Sequence, residues 1–163
     1  EDWLEPIFKA LPPVFSVERD RVLRAAAYRL ADLAGVLHPD HRGDIAFEIV
    51  LRGPYAGARH DERAFLAAAV ARRYGRKNPE TSAEIFDRLL PPEASARAAA
   101  LGAALRLAAD VSGRSPNLLK ACKLSFQPNG ELWLEAADGY DSLVTDQIRR
   151  RLSQLAEAIG GAY

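Results

Sequence analysis

Residues 96–109 read ARAAALGAALRLAA, and a dozen positions later the pattern gives way to ACKLSFQPNGELWLEA at 121–136. This change of period, from 3.6 to 2, constrains the chain more than any other feature. A run of alanines broken only by leucine, arginine and one glycine makes a helix whose apolar face is shallow, so its neighbours must approach closely. In the second stretch Cys122, Leu124 and Phe126 alternate with Lys123, Ser125 and Gln127. Leu132 and Leu134 likewise alternate with Glu131, Trp133 and Glu135. Pro128-Asn129-Gly130 lies between them, and Asn-Gly is a strong hairpin signal. Two strands alone are unstable in water, so the hairpin must dock on helices. The expected fold is mainly α, with a C-terminal two-stranded β-hairpin followed by a final helix. We expect one domain, with a helical body at about 1–113 and the hairpin and terminal helix at about 118–160.

The remaining segments read as helices. Trp3, Ile7 and Leu11 are spaced four apart before Pro12-Pro13. Ser16 is placed to cap a helix whose apolar face carries Val22, Leu23, Ala26, Leu30 and Leu33, with Gly35 near its end. The stretch LHPDHRGD at 37–44 follows as a loop, and Asp44 is expected to cap IAFEIVLR. Asp61 and Glu62 open another helix, which closes on Arg72, Arg73 and Gly75, so acid leads and base trails as the helix dipole favours. Its expected buried stripe is Leu66, Ala69 and Val70. SAEIFDRLL at 82–90 reads as a short helix. Pro91-Pro92-Glu93 starts the alanine-rich one, which runs to about Gly113. Val144, Ile148, Leu152, Leu155 and Ile159 line the last helix, which Gly160-Gly161 stops.

Of 163 residues, 22 are basic and 22 acidic, giving no net charge. That balance argues against a dedicated nucleic-acid or membrane-surface protein, so anion binding must be local. The single cysteine, Cys122, excludes an internal disulfide and fits a cytoplasmic setting. Its inward position beside Leu124 makes it a small core residue. No stretch approaches the roughly 18 uninterrupted apolar residues of a membrane span. The chain begins at Glu1 and contains no methionine, which reads as a piece of something longer.

Three groups of residues carry potential chemistry. His38, His60-Asp61 and Asp110 imitate the order of ligands in metal-dependent HD phosphohydrolases, where a divalent ion activates water. The context differs, because such a pair sits inside an apolar helix whereas Asp61 here suits a helix start. His38 and His41 lie three apart on a loop and lack the third protein ligand that zinc needs. The third group is basic: Arg72, Arg73, Arg76 and Lys77 form a run at a helix end, where side chains can converge on a polyanion. The run Arg149-Arg150-Arg151 cannot all face one way, so part of it is solvated surface.

The order of RVLRAAAYRLADLAGVLHPDHRGDIAFEIV, GARHDERAFLAAAVARRYG and ALGAALRLAADVSG, then the hairpin and final helix, resembles the C-terminal region of the Ppx/GppA family. These are exopolyphosphatases and guanosine pentaphosphate phosphohydrolases, and the resemblance spans about residues 3–160. It implies an HD-like helical domain behind two N-terminal actin-like domains that carry the catalytic site and that this chain does not contain. Where family members keep an HD pair, the matching position here is Ala31-Asp32, so the histidine is lost. A further family histidine is replaced by Arg42-Gly43-Asp44. The resemblance thus implies no metal site and no catalytic residue in this chain, with Mg2+ serving the parent enzyme. Its expected roles are polyphosphate binding, through Arg72, Arg73, Arg76 and Lys77 with His38, His41 and Arg42, and homodimerisation. The ligand would be inorganic polyphosphate or guanosine pentaphosphate, through the parent enzyme, with no nucleic acid or membrane partner. The rival readings are a stand-alone metal-dependent HD phosphohydrolase and a non-catalytic dimerisation module.

Overall fold

The alanine runs and the period-2 stretch become helices and a hairpin in the computed structural model, which describes residues 2–75, 88–113 and 115–161. The chain is mainly helical, with a two-strand antiparallel hairpin followed by a final helix. In order the described elements are α1 (Glu5–Ala10), α2 (Val17–Leu30), α3 (Arg42–Arg52), α4 (His60–Arg73), α5 (Pro92–Ser112), α6 (Pro116–Lys120), β1 (Cys122–Phe126), β2 (Leu132–Ala136), a 3-10 turn (Asp141–Leu143) and α7 (Asp146–Ile159). They form two compact units, one of residues 13–102 and the other of residues 1–12 with 103–163; the division falls inside α5.

In the unit of residues 13–102, α2 and α3 pack on α4. Ser16 caps α2 as its sequence implies, accepting from the Arg19 amide at 3.1 Å. The start of α3 corrects the sequence reading. Asp44 does not cap it; the helix begins at Arg42, and His41 is the cap residue. The cause is a backbone turn in which the amides of His41 and Arg42 both donate to the His38 carbonyl, so helical geometry is already set three residues early. Asp44 sits in the first turn, where its charge still meets the helix dipole. α4 also departs from expectation: rather than a stripe, Ala64 through Ala71 are all buried. A helix apolar all round belongs in an interior. The alanines let neighbours come close, and a Cβ added at Gly102 on α5 would lie 2.6 Å from the Ala69 carbonyl oxygen and 2.5 Å from the Arg72 Cβ. Of the helix expected at 82–90, residues 82–87 lie outside the described part of the chain.

In the other unit the strands pair Leu124 with Leu134 and Phe126 with Leu132, as the alternation requires. Cys122, Leu124 and Leu132 are buried and Trp133 is exposed. The hairpin docks on helices: β1 on α1 and α6, β2 on α7. Trp3 ties the start of the chain to β1, its indole N–H donating to the Cys122 carbonyl at 2.7 Å. Thr145 caps α7, and Gly160, at φ 71°, ends it in the left-handed conformation that glycine adopts without strain.

A candidate anion-binding site at the end of helix α4

The C-terminus of α4 delivers Tyr74 to the turn that follows α2. Its hydroxyl donates to the Ala31 carbonyl at 2.9 Å and accepts from the Ala34 amide at 3.1 Å, so one side chain fastens both sides of that turn. Two guanidinium groups gather at the Tyr74 ring. The Arg42 Cζ lies 5.2 Å from the ring centroid and the Arg73 Cζ 5.0 Å from it. Both are within the reach of about 6 Å at which a cation is held by an aromatic face.

The two arginines differ in their partners. Arg73 Nη2 donates to Asp32 Oδ1 at 2.9 Å; the Arg73 side chain is 16% exposed and that of Asp32 87%. Arg42 has no ion pair among the described residues, and its Nε is buried with no hydrogen-bond partner there. A buried N–H donor left unmade is costly, and the helix start beside it carries no side-chain cap. Among the described residues, the two guanidinium groups at the Tyr74 ring share one ion pair, that of Arg73 with Asp32, and the buried Arg42 Nε is left without a partner.

The loop histidines lead directly into Arg42. Their ring centroids are 5.8 Å apart with planes inclined at 39°. His38 Nδ1 accepts from the Asp40 amide at 3.4 Å and stands 3.7 Å from the Asp40 carboxylate. Other members of the basic group are dispersed. Arg72, next to Arg73 in sequence, turns its stem toward the close approach at Gly102, and burial pushes its guanidinium below its ordinary pKa. Arg76 and Lys77 lie outside the described residues. Of the second run, Arg149 and Arg150 are exposed while Arg151 Nε donates to Asp110 at 2.8 Å.

The residues that imitate a metal site are engaged one by one elsewhere. His60 accepts from Arg63, Asp61 pairs with Arg59 at 2.9 Å, and Asp110 holds Arg151 and Gln147. Asp61 opens α4, its Oδ1 accepting from the Glu62 amide. Ala31-Asp32 lies just past α2, and Asp32 faces a guanidinium there. Among the described residues no three histidine, cysteine, aspartate or glutamate side chains converge as metal ligands would.

Sequence reasoning missed two residues. Tyr74 organises the site, yet a tyrosine beside a helix-terminal glycine carries little signal. Glu62 was read only as a helix-opening acid. Its buried carboxylate takes two N–H groups of Arg19, at 2.5 and 2.7 Å, and the Arg59 amide at 2.8 Å. The Arg19 guanidinium, followed by the Arg59 amide, holds its pKa below the usual carboxylate value.

A family model described as exopolyphosphatase, C-terminal, matches residues 3–162. The chain belongs to the exopolyphosphatase C-terminal domain family. Comparison with curated proteins gives no significant match. No helix among the described residues is long and apolar enough to cross a membrane.

Proposed function

We propose that this exopolyphosphatase C-terminal domain binds the phosphate chain of its parent enzyme's substrate at the surface made by Arg42 and Arg73 on Tyr74. The observation that carries this reading is the buried Arg42 Nε without a partner, beside a second guanidinium. Guanidinium N–H groups match phosphate oxygens in geometry and charge. His38 and His41 flank the site through the turn that starts α3, and Arg72, Arg76 and Lys77 extend the positive run along the chain. Inorganic polyphosphate and guanosine pentaphosphate both present such a chain. Release of the terminal phosphate, with Mg2+, belongs to the parent's N-terminal actin-like domains in a cytoplasmic setting.

Titration with long-chain polyphosphate tests this reading. Binding should be measurable at low salt and weaken steeply at moderate salt, as fixed cations release the polyanion's condensed counterions. Arg42→Ala with Arg73→Ala should reduce both affinity and salt slope, while Arg149→Ala should change little. Absence of binding at low salt, or equal binding by the double variant, rejects it. The same reading has two copies of the domain pair, for which exposed Ile45 and Ile49, one turn apart on α3, offer apolar surface. Light scattering at high concentration should report a dimer; a monomer alone counts against pairing. Elemental analysis should find no stoichiometric divalent ion, and the isolated chain should release no phosphate.

A further inference from the structure

Resting on that phosphate-chain reading, we infer that Asp32 is a tethered competitor for the site, which makes it select chains of phosphates over single phosphate ions. Asp32 sits between Ala31 and Ala34, the two residues whose backbone Tyr74 fastens, so its backbone is held beside the site. Its carboxylate is the group most open to solvent there, at 87% exposure, while the guanidinium it meets is largely covered. A turn of its own side chain therefore releases Arg73 without moving the backbone or the ring.

A carboxylate and a phosphate offer the same thing to a guanidinium: paired oxygens carrying negative charge. Because Asp32 is part of the same turn, it competes at the high effective concentration of an intramolecular ligand. A single phosphate ion that displaces it gains one guanidinium and meets the repulsion of the displaced carboxylate. A chain of phosphates reaches Arg42 as well, whose Nε has no partner among the described residues to give up. The exchange favours the chain, since exposed ion pairs of this kind are individually weak.

The opposite role would have Asp32 position Arg73 for the ligand, and the two roles predict opposite signs. Calorimetry of the whole chain with orthophosphate, tripolyphosphate and long-chain polyphosphate separates them. Asp32→Asn should tighten tripolyphosphate binding about three- to tenfold and steepen its log–log salt dependence by about one unit. The proportionate gain should be larger for orthophosphate. Asp138→Asn, which removes the same charge from an exposed turn in the other unit, should leave all three unchanged. Asp32→Ala should behave as Asp32→Asn does. Weakened or unchanged binding in both Asp32 variants, with the wild type still binding, overturns the competitor and leaves the phosphate-chain reading standing. An equal gain in Asp138→Asn reduces the effect to net charge and also overturns it. Failure of the wild type and both Asp32 variants to bind any of the three at low salt removes both inferences together.

Discussion

Helix α4 carries an ion pair at each end, and the two are built in opposite ways. At its start the carboxylate of Glu62 is fully buried and the Arg19 side chain that grips it is 34% exposed. At its close the guanidinium of Arg73 is the covered partner and the carboxylate of Asp32 the open one. The first pair is bidentate and gains a third donor in the Arg59 amide, which closes one side of a capping box. Arg19 also donates to the Gly57 carbonyl at 2.6 Å, so the loop before α4 is held to α2. The second pair rests on one N–H bond to a side chain that solvent already surrounds. What differs is whether a charge has anywhere else to go. The buried Glu62 cannot trade Arg19 for water, whereas the exposed Asp32 can trade Arg73 for it.

Removing the buried carboxylate should produce the largest effect. Glu62→Ala strands Arg19 and the Arg59 amide and should cost about 3 kcal/mol, the lower part of the range for breaking a buried pair, because Arg19 can still reach water. Urea unfolding measures it, and a loss under 1 kcal/mol would make the two ends of α4 equivalent. The same group fixes a pH dependence. Its folded pKa lies below its ordinary 4.5, so its contribution is present above that value and is lost as pH falls through the folded one. Stability should therefore fall below about pH 4.5, and Glu62→Gln should flatten that limb. Tyr74→Phe comes next. It deletes a hydroxyl that both donates and accepts, at a cost of about 1–2 kcal/mol, and should weaken polyphosphate binding by loosening the Asp32 turn. Least of all, Asp32→Asn should move stability by no more than about 0.5 kcal/mol, as for other exposed pairs. A larger loss there would make Asp32 a structural residue like Glu62.

Local chemistry was readable from the sequence, and meetings between distant residues were not. The hairpin follows from alternation and Asn-Gly, the start of α2 from Ser16, and the start of α5 from Pro92, because each depends on neighbours a few positions away. The start of α3 lies three residues before the position that Asp44 suggests: a main-chain turn around His38 decides it, and main-chain bonds leave little trace in residue type. The stripe expected on α4 understated its burial, since alanine is compatible with either an inner or an outer face. Arg73 and Asp32 are 41 residues apart, and Tyr74 meets Ala31 across 43. No period or spacing announces such pairs. The basic run was legible as a run, but the division of Arg72 from Arg73 depends on Gly102, on another helix.

The bond from Trp3 to the Cys122 carbonyl spans 119 residues. It belongs to a unit assembled from two separated stretches of chain, while residues 13–102 form theirs from one continuous stretch. During synthesis the continuous stretch can condense as it emerges, its contacts closing short loops. Helix α1 has no such opportunity, because the strand it packs against is translated more than a hundred residues later. Its buried Ile7 and Phe8 lie on a helix that cannot meet that strand before then. Connectivity thereby separates the two units: contacts within residues 13–102 close short loops, whereas α1 meets its strand only once the hairpin has been made.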